Sequence, residues 1–121
     1  MTTLLALQGI TPSPAAIAPS AAGADGDYLA ASSCPDDAVA VMVLHSANDG
    51  LFPGFGAETA PWWAECDGCG GSPDDLLPDG CVVYPDCESG LEVQYCEGTG
   101  LHGQWPPMNE SMLDFFDRFT R

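Results

Sequence analysis

Hydrophobic positions along the chain fall into short blocks separated by Gly, Pro and Asp. The longest block is Val39 to Leu44, six apolar residues opening V-A-V-M-V-L-H-S-A-N-D. A continuous apolar run of that length, rich in β-branched residues, predicts a strand buried on both faces, as in parallel sheets. It ends abruptly in His45, Asn48, Asp49 and Gly50. In open α/β sheets the working residues sit where such strands end.

The other blocks give a coarse order. Met1 to Gln8 is apolar and compatible with a helix, with Gly9 as a natural stop. Ala15 to Ala22 reads as a short strand of small residues, bent near its end by Pro19. Gly23 to Asp37 carries turn signals and is expected to be a loop. Ala57 to Cys66 reads as a helix with Pro61 in its first turn, where a missing N–H is cheap. Asp67 to Gly80 is a Gly, Asp and Pro-rich loop. Cys81–Tyr84 and Leu91–Cys96 read as two strands joined by the turn P-D-C-E-S-G. Gly98 to Pro107 is a loop holding one histidine. Asn109 to Thr120 is an amphipathic helix with Asn109 as its N-cap and an apolar face of Met112, Leu113, Phe115, Phe116 and Phe119. Strands alternating with helices predict an α/β fold with a parallel sheet. The first helix has no strand ahead of it to complete a βαβ unit, which leads us to expect part of a larger α/β domain.

Charge narrows the functional classes. The chain of 121 residues has 18 acidic and 2 basic side chains, for a formal net charge of −16. Phosphate recognition needs Lys and Arg, so nucleic acid and anionic membrane surfaces are not expected partners. No apolar run approaches the length of a membrane span. A hydrophobic content of 45% is enough for a packed core.

Six cysteines stand at 34, 66, 69, 81, 87 and 96. An even, clustered set points to disulfides formed in an oxidising compartment, hence to a secreted protein. Zinc is the rival, because Cys66 and Cys69 form C-x-x-C. The Cys81 and Cys87 spacing fits no finger or ribbon, and no histidine lies at ligand spacing, so no metal is expected. The acidic stretch Asp67 to Asp79 lacks the calcium-loop frame and reads as a solvated loop. Met1 to Leu7 has neither a basic leader nor a long apolar core. Secreted character without a leader suggests that an N-terminal part precedes these residues.

Two residues carry the candidate chemistry. Asp49 follows the central strand, and His102 follows the last strand in G-L-H-G-Q-W-P. A carboxylate that orients an imidazole is the acid–base part of a nucleophile–His–Asp triad. The order Asp before His is that of the α/β-hydrolases, in which the nucleophile comes first. Asp49 in N-D-G is also ordinary turn chemistry, and a glycine-flanked histidine is often only a loop residue. His45 is expected to pack and hydrogen-bond at the strand end rather than take part in acid–base work. Of Trp62 and Trp63, adjacent on one helix, one is expected in the core, since neighbours point about 100° apart. Trp105 is the best candidate for a substrate contact.

With these segments in order, A-A-I-A-P-S-A-A-G, V-M-V-L-H-S-A-N-D, W-W-A-E-C-D-G-C, C-V-V-Y-P-D-C, V-Q-Y-C, G-L-H-G-Q-W-P and L-D-F-F, the chain resembles a known family. It is similar to the C-terminal half of the secreted α/β-hydrolase esterases that include feruloyl and acetylxylan esterases and polyhydroxybutyrate depolymerase-like proteins. The resemblance runs from Met1 to about Phe119. It implies three parallel strands with flanking helices and a disulfide-stapled hairpin, with Asp49 as triad acid and His102 as triad base. The set Cys69, Cys81, Cys87 and Cys96 is expected to staple that hairpin near His102. The implied substrate is an ester, either a plant cell-wall phenolic or acetyl ester or a polyester, and acyl transfer to water needs no cofactor.

In that family the nucleophile serine lies in G-x-S-x-G-G, just ahead of a helix that begins much like Met-Thr-Thr-Leu-Leu. No G-x-S-x-G occurs in the 121 residues. The oxyanion donors, which come from the residue after the nucleophile and an earlier loop, are absent with it. The expectation is therefore a partial hydrolase domain over residues 1–121, inactive alone, whose first strand leaves an open apolar edge. The alternatives are a non-catalytic binding module of the same fold, or one that pairs with a separate chain bearing the missing half, and a small disulfide-stapled domain of unrelated ancestry.

Overall fold

The structure, a computed structural model, describes residues 2–9, 11–21, 24–73 and 79–119. Helix α1 (Thr2–Leu7) leads to a two-residue strand β1 (Ala16–Ile17) and a short helix α2 (Gly26–Ala30). Strand β2 (Ala40–Ser46) and helix α3 (Phe55–Cys66) follow. The second half holds β3 (Cys81–Tyr84), β4 (Val93–Gly98) and helix α4 (Asn109–Arg118). The strands form one sheet in the order β1-β2-β4-β3. β1, β2 and β4 are parallel, and β3 returns antiparallel to β4. This is a mixed, mostly parallel α/β sheet.

The apolar run is the centre of this sheet for a plain reason. Every residue of β2 is buried. Its side chains alternate between faces, as the period of a strand requires. Val41 and Val43 join Trp63, Ala60 and Val93 in one core layer. Ala40, Met42 and Leu44 join Cys81, Cys96 and Phe115 in the other. Helix α3 thus covers one face and α4 the opposite one. A central strand covered on both faces tolerates few polar positions, so β2 is apolar from Ala40 to Leu44 and turns polar only at its end, in His45 and Ser46.

All six cysteines are paired, as Cys34–Cys66, Cys69–Cys87 and Cys81–Cys96. The last pair joins directly opposed residues of β3 and β4. It staples the hairpin at the end of β4 that leads toward His102. Three disulfides belong to a non-reducing environment.

Several local expectations are corrected. The segment Gly23 to Asp37 contains a helix, α2, because Asp25 accepts the Tyr28 N–H at 2.8 Å and caps it. Helix α3 begins at Phe55, so Pro61 lies inside it rather than in its first turn. Gly54, at φ 80°, supplies the entry to the helix. The N-cap of α4 is Met108, and Asn109 is the first helical residue. Its carboxamide instead accepts the Trp105 indole N–H. The strand expected over Ala15 to Ala22 is short, and among its described residues it is continued by a bridge from Ser20 to Leu44. Residues 74–78 of the acidic loop lie outside the described residues. Among those described, Asp67 is buried rather than solvated.

Candidate active site

The parallel pairing of β2 with β4 runs in register from Val41↔Val93 to Ser46↔Gly98. Both strands therefore release their chains at the same edge of the sheet. The Ala47 N–H donates to the Gly98 carbonyl at 2.8 Å, extending the ladder by one bond. The Asn48 carboxamide then donates to the Thr99 carbonyl at 2.8 Å. These bonds tie the loop after β2 to the loop after β4, and the two candidate residues sit on those loops.

Asp49 and His102 are brought together. The His102 Nδ1–H donates to Asp49 Oδ2 at 2.9 Å. The carboxylate is buried at 3% exposure, whereas the His102 side chain is 32% exposed. One partner is thus fixed in the protein and the other faces outward. With Nδ1 committed to the carboxylate, the imidazole keeps Nε2 for outside chemistry, and no described residue bonds to it.

The turn after Asp49 organises the acid. Asp49 Oδ1 accepts two backbone N–H groups, from Leu51 and Phe52, each at 2.9 Å. This Asx-type turn is what N-D-G chemistry favours. Burial is the largest single influence on the carboxyl and acts to raise its pKa. The hydrogen bonds from Phe52, His102 and Leu51 together outweigh it and hold the value at about 2. At neutral pH the group is a firm carboxylate and a pure acceptor, as an imidazole orienter must be.

The loop carrying the histidine is closed on itself. Gln104 N–H donates to the Leu101 carbonyl at 2.9 Å, and the Gln104 side chain accepts the Leu101 N–H at 2.8 Å. Gly100 makes room for this turn, since a Cβ there would meet Gln104 at 3.2 Å. The Phe52 ring meets the His102 ring edge-on, with centroids 5.0 Å apart. Neither Phe52 nor Gln104 stands out in the sequence. Only the tight G-L-H-G-Q spacing hints at a turn around His102.

His45 is buried beside Asp49 and hydrogen-bonds to Phe52, as the strand-end position suggested. Trp105 is 54% exposed and lies on the His102 loop, with Leu51 and Leu101 exposed on the same two loops. Trp63 is wholly buried in the α3-side core, and Trp62 packs against it at a centroid distance of 5.1 Å. Among the described residues, no group of three or more His, Cys, Asp or Glu side chains is arranged to hold a metal ion. No helix among them is long and apolar enough to cross a membrane.

Such a pair can accept a proton at His102 Nε2 and return it, while Asp49 balances the imidazolium. No family model matches the chain, and no curated protein matches it.

Proposed function

We propose that this chain is the acid–base half of a secreted carboxylic ester hydrolase of α/β-hydrolase type, related to feruloyl and acetylxylan esterases and polyhydroxybutyrate depolymerase-like proteins. The observation that carries this reading is the 2.9 Å contact between Asp49 and His102 at the shared edge of two parallel strands. The Asp-before-His order and the family resemblance add to it. The three disulfides favour an extracellular setting.

In this reading a serine from a segment outside these 121 residues attacks the ester carbonyl. His102 Nε2 takes the serine proton as the C–O bond forms. The tetrahedral intermediate collapses, and His102 gives that proton to the departing alcohol. Water then repeats the sequence on the acyl-enzyme: His102 takes its proton, and the acid leaves as the serine is reprotonated. Asp49 keeps its negative charge throughout and holds the ring by Nδ1. Trp105 forms part of the wall that receives the ester. The chain alone lacks the nucleophile and oxyanion donors and is expected to hydrolyse nothing through this pair.

The test is hydrolysis of p-nitrophenyl acetate and methyl ferulate by the oxidised chain. It is measured alone and after mixing with a segment that carries a G-x-S-x-G nucleophile elbow from a related esterase. Turnover in the mixture that His102→Ala abolishes supports the reading. Turnover by the chain alone, lost in His102→Ala, means that another nucleophile operates. No turnover in either arm favours a non-catalytic binding module of the same fold.

A further inference from the structure

Both members of the pair, and His45 with them, converge on Phe52. Its N–H donates to Asp49 Oδ1 at 2.9 Å. Its ring stands edge-on to His102 at 5.0 Å. Its carbonyl accepts a hydrogen bond from His45 Nε2 at 2.9 Å. A carbonyl can only accept, so the His45 proton sits on Nε2.

His45 cannot move to suit the loop. It is 2% exposed and closes the apolar strand β2. Helix α3 passes directly over it at Gly56, where an added Cβ would lie 2.3 Å from the His45 Cβ. His45 Nε2 is also 3.8 Å from Asp49 Oδ2, beyond hydrogen-bond reach. Among the described residues its one hydrogen bond is therefore with Phe52.

The other ring nitrogen decides what the side chain is for. His45 Nδ1 is buried with no hydrogen-bond partner among the described residues. Leaving a buried polar atom unpaired costs about 1–3 kcal/mol. Packing alone would be served better by phenylalanine, which fills similar space without that cost. An imidazole here makes sense through the bond that phenylalanine cannot make.

We propose that His45 is a positioning residue for the Asp49–His102 pair, acting through the Phe52 carbonyl. It fixes Phe52, and Phe52 sets both the carboxylate, by its N–H, and the imidazole, by its ring. The consequence for turnover rests on the esterase reading above, but the geometric coupling does not.

The experiment is proton and nitrogen NMR of the oxidised chain carrying His45→Phe, His45→Asn or His45→Gln. The readout is the His102 Nδ1–H resonance, which a hydrogen bond to Asp49 moves downfield and protects from exchange. Gln places an amide donor near the position of Nε2, whereas Asn is too short and Phe has no donor. In the wild type and His45→Gln the resonance is expected to persist. In His45→Phe and His45→Asn it is expected to broaden away while the amides of the Cys81–Cys96 hairpin stay in place. Because Asn and Gln are both polar, their contrast decides the matter even if His45→Phe fails to fold. A resonance kept in His45→Asn, or lost in a folded His45→Gln, overturns the proposal. In the enzyme reconstituted with a nucleophile segment, His45→Asn is expected to lower kcat about 100-fold with little change in KM. Absence of turnover in the wild-type mixture would count against the esterase reading and leave the NMR result standing.

Discussion

Asp49 and His102, separated by 53 positions in the chain, meet at 2.9 Å because β2 and β4 are parallel neighbours ending at one edge. The carboxylate is held from behind by two backbone N–H groups and needs no rearrangement to receive the imidazole. That is the preorganisation an acid–base pair requires.

Asp49→Asn keeps the shape of the side chain but presents an amide in place of the carboxylate. The His102 Nδ1–H then loses its charged acceptor. On the proposed esterase reading, with a nucleophile segment supplied, we expect kcat to fall on the order of 10,000-fold, the size found for the equivalent change in serine proteases. Steady-state hydrolysis of p-nitrophenyl acetate checks this, and a loss of less than tenfold would show that Asp49 does not orient the base.

The same carboxyl sets an acid limit. Its value of about 2 lies below the ordinary 3.8, so its contribution to stability is complete above about pH 4 and is lost as pH falls through about 2. A carboxyl-carbon NMR titration of Asp49 should give a midpoint near 2. A midpoint at or above 4 would mean that the turn and His102 do not hold the ionised form.

At the other end of the sheet, Asp67 behaves in the opposite sense. It closes α3 between two half-cystines, and neither of its carboxylate oxygens has a hydrogen-bond partner among the described residues. Burial pushes its pKa up to about 6, opposed only by the Val39 backbone amide, which does not reach hydrogen-bond geometry. A raised acid favours the fold fully below about pH 4, and that contribution is lost as pH rises through about 6. Asp67→Asn should therefore stabilise the protein by about 1–3 kcal/mol at pH 8 and change little at pH 4. Thermal melts at the two pH values check the sign; equal shifts at both would show that the carboxyl is not the cause.

Gly56 lets α3 lie on the strand end beneath the site. A Cβ there would come within 2.3 Å of His45 and 3.0 Å of the Tyr95 ring. Gly56→Ala, despite alanine's better helix propensity, should destabilise by about 1–3 kcal/mol through this overpacking. Urea denaturation of the oxidised protein measures it. A neutral or stabilising result would mean that α3 stands farther from β2.

Cys81–Cys96 closes a loop of 15 residues across β3 and β4. Replacing both cysteines by alanine removes that restraint from the unfolded chain and should cost about 3 kcal/mol. A change under 1 kcal/mol in urea denaturation would show that the hairpin holds without its staple.

The sequence by itself determined the elements whose signal is local. An unbroken apolar run from Val39 to Leu44 has few folded states besides a strand covered on both faces, and it became the centre of the sheet. The Phe-rich spacing after Asn109 likewise became a helix that buries Phe115. Cysteine count and spacing pointed to disulfides, but pairing depends on which residues come within bonding distance. Tertiary structure decided that, and for one pair it was the sheet, which sets Cys81 opposite Cys96. The same holds for the site. Asp49 and His102 were legible as a carboxylate and an imidazole at two strand ends. Their contact needed the register of β2 against β4, a long-range property that no local pattern encodes. Phe52, between His45, Asp49 and His102, was invisible beforehand because two of those three contacts use its backbone, which every residue shares. The burial of Asp67 was hidden for a related reason. An acidic loop composition predicts solvent, and only the packing of α3 against the start of β2 removed it.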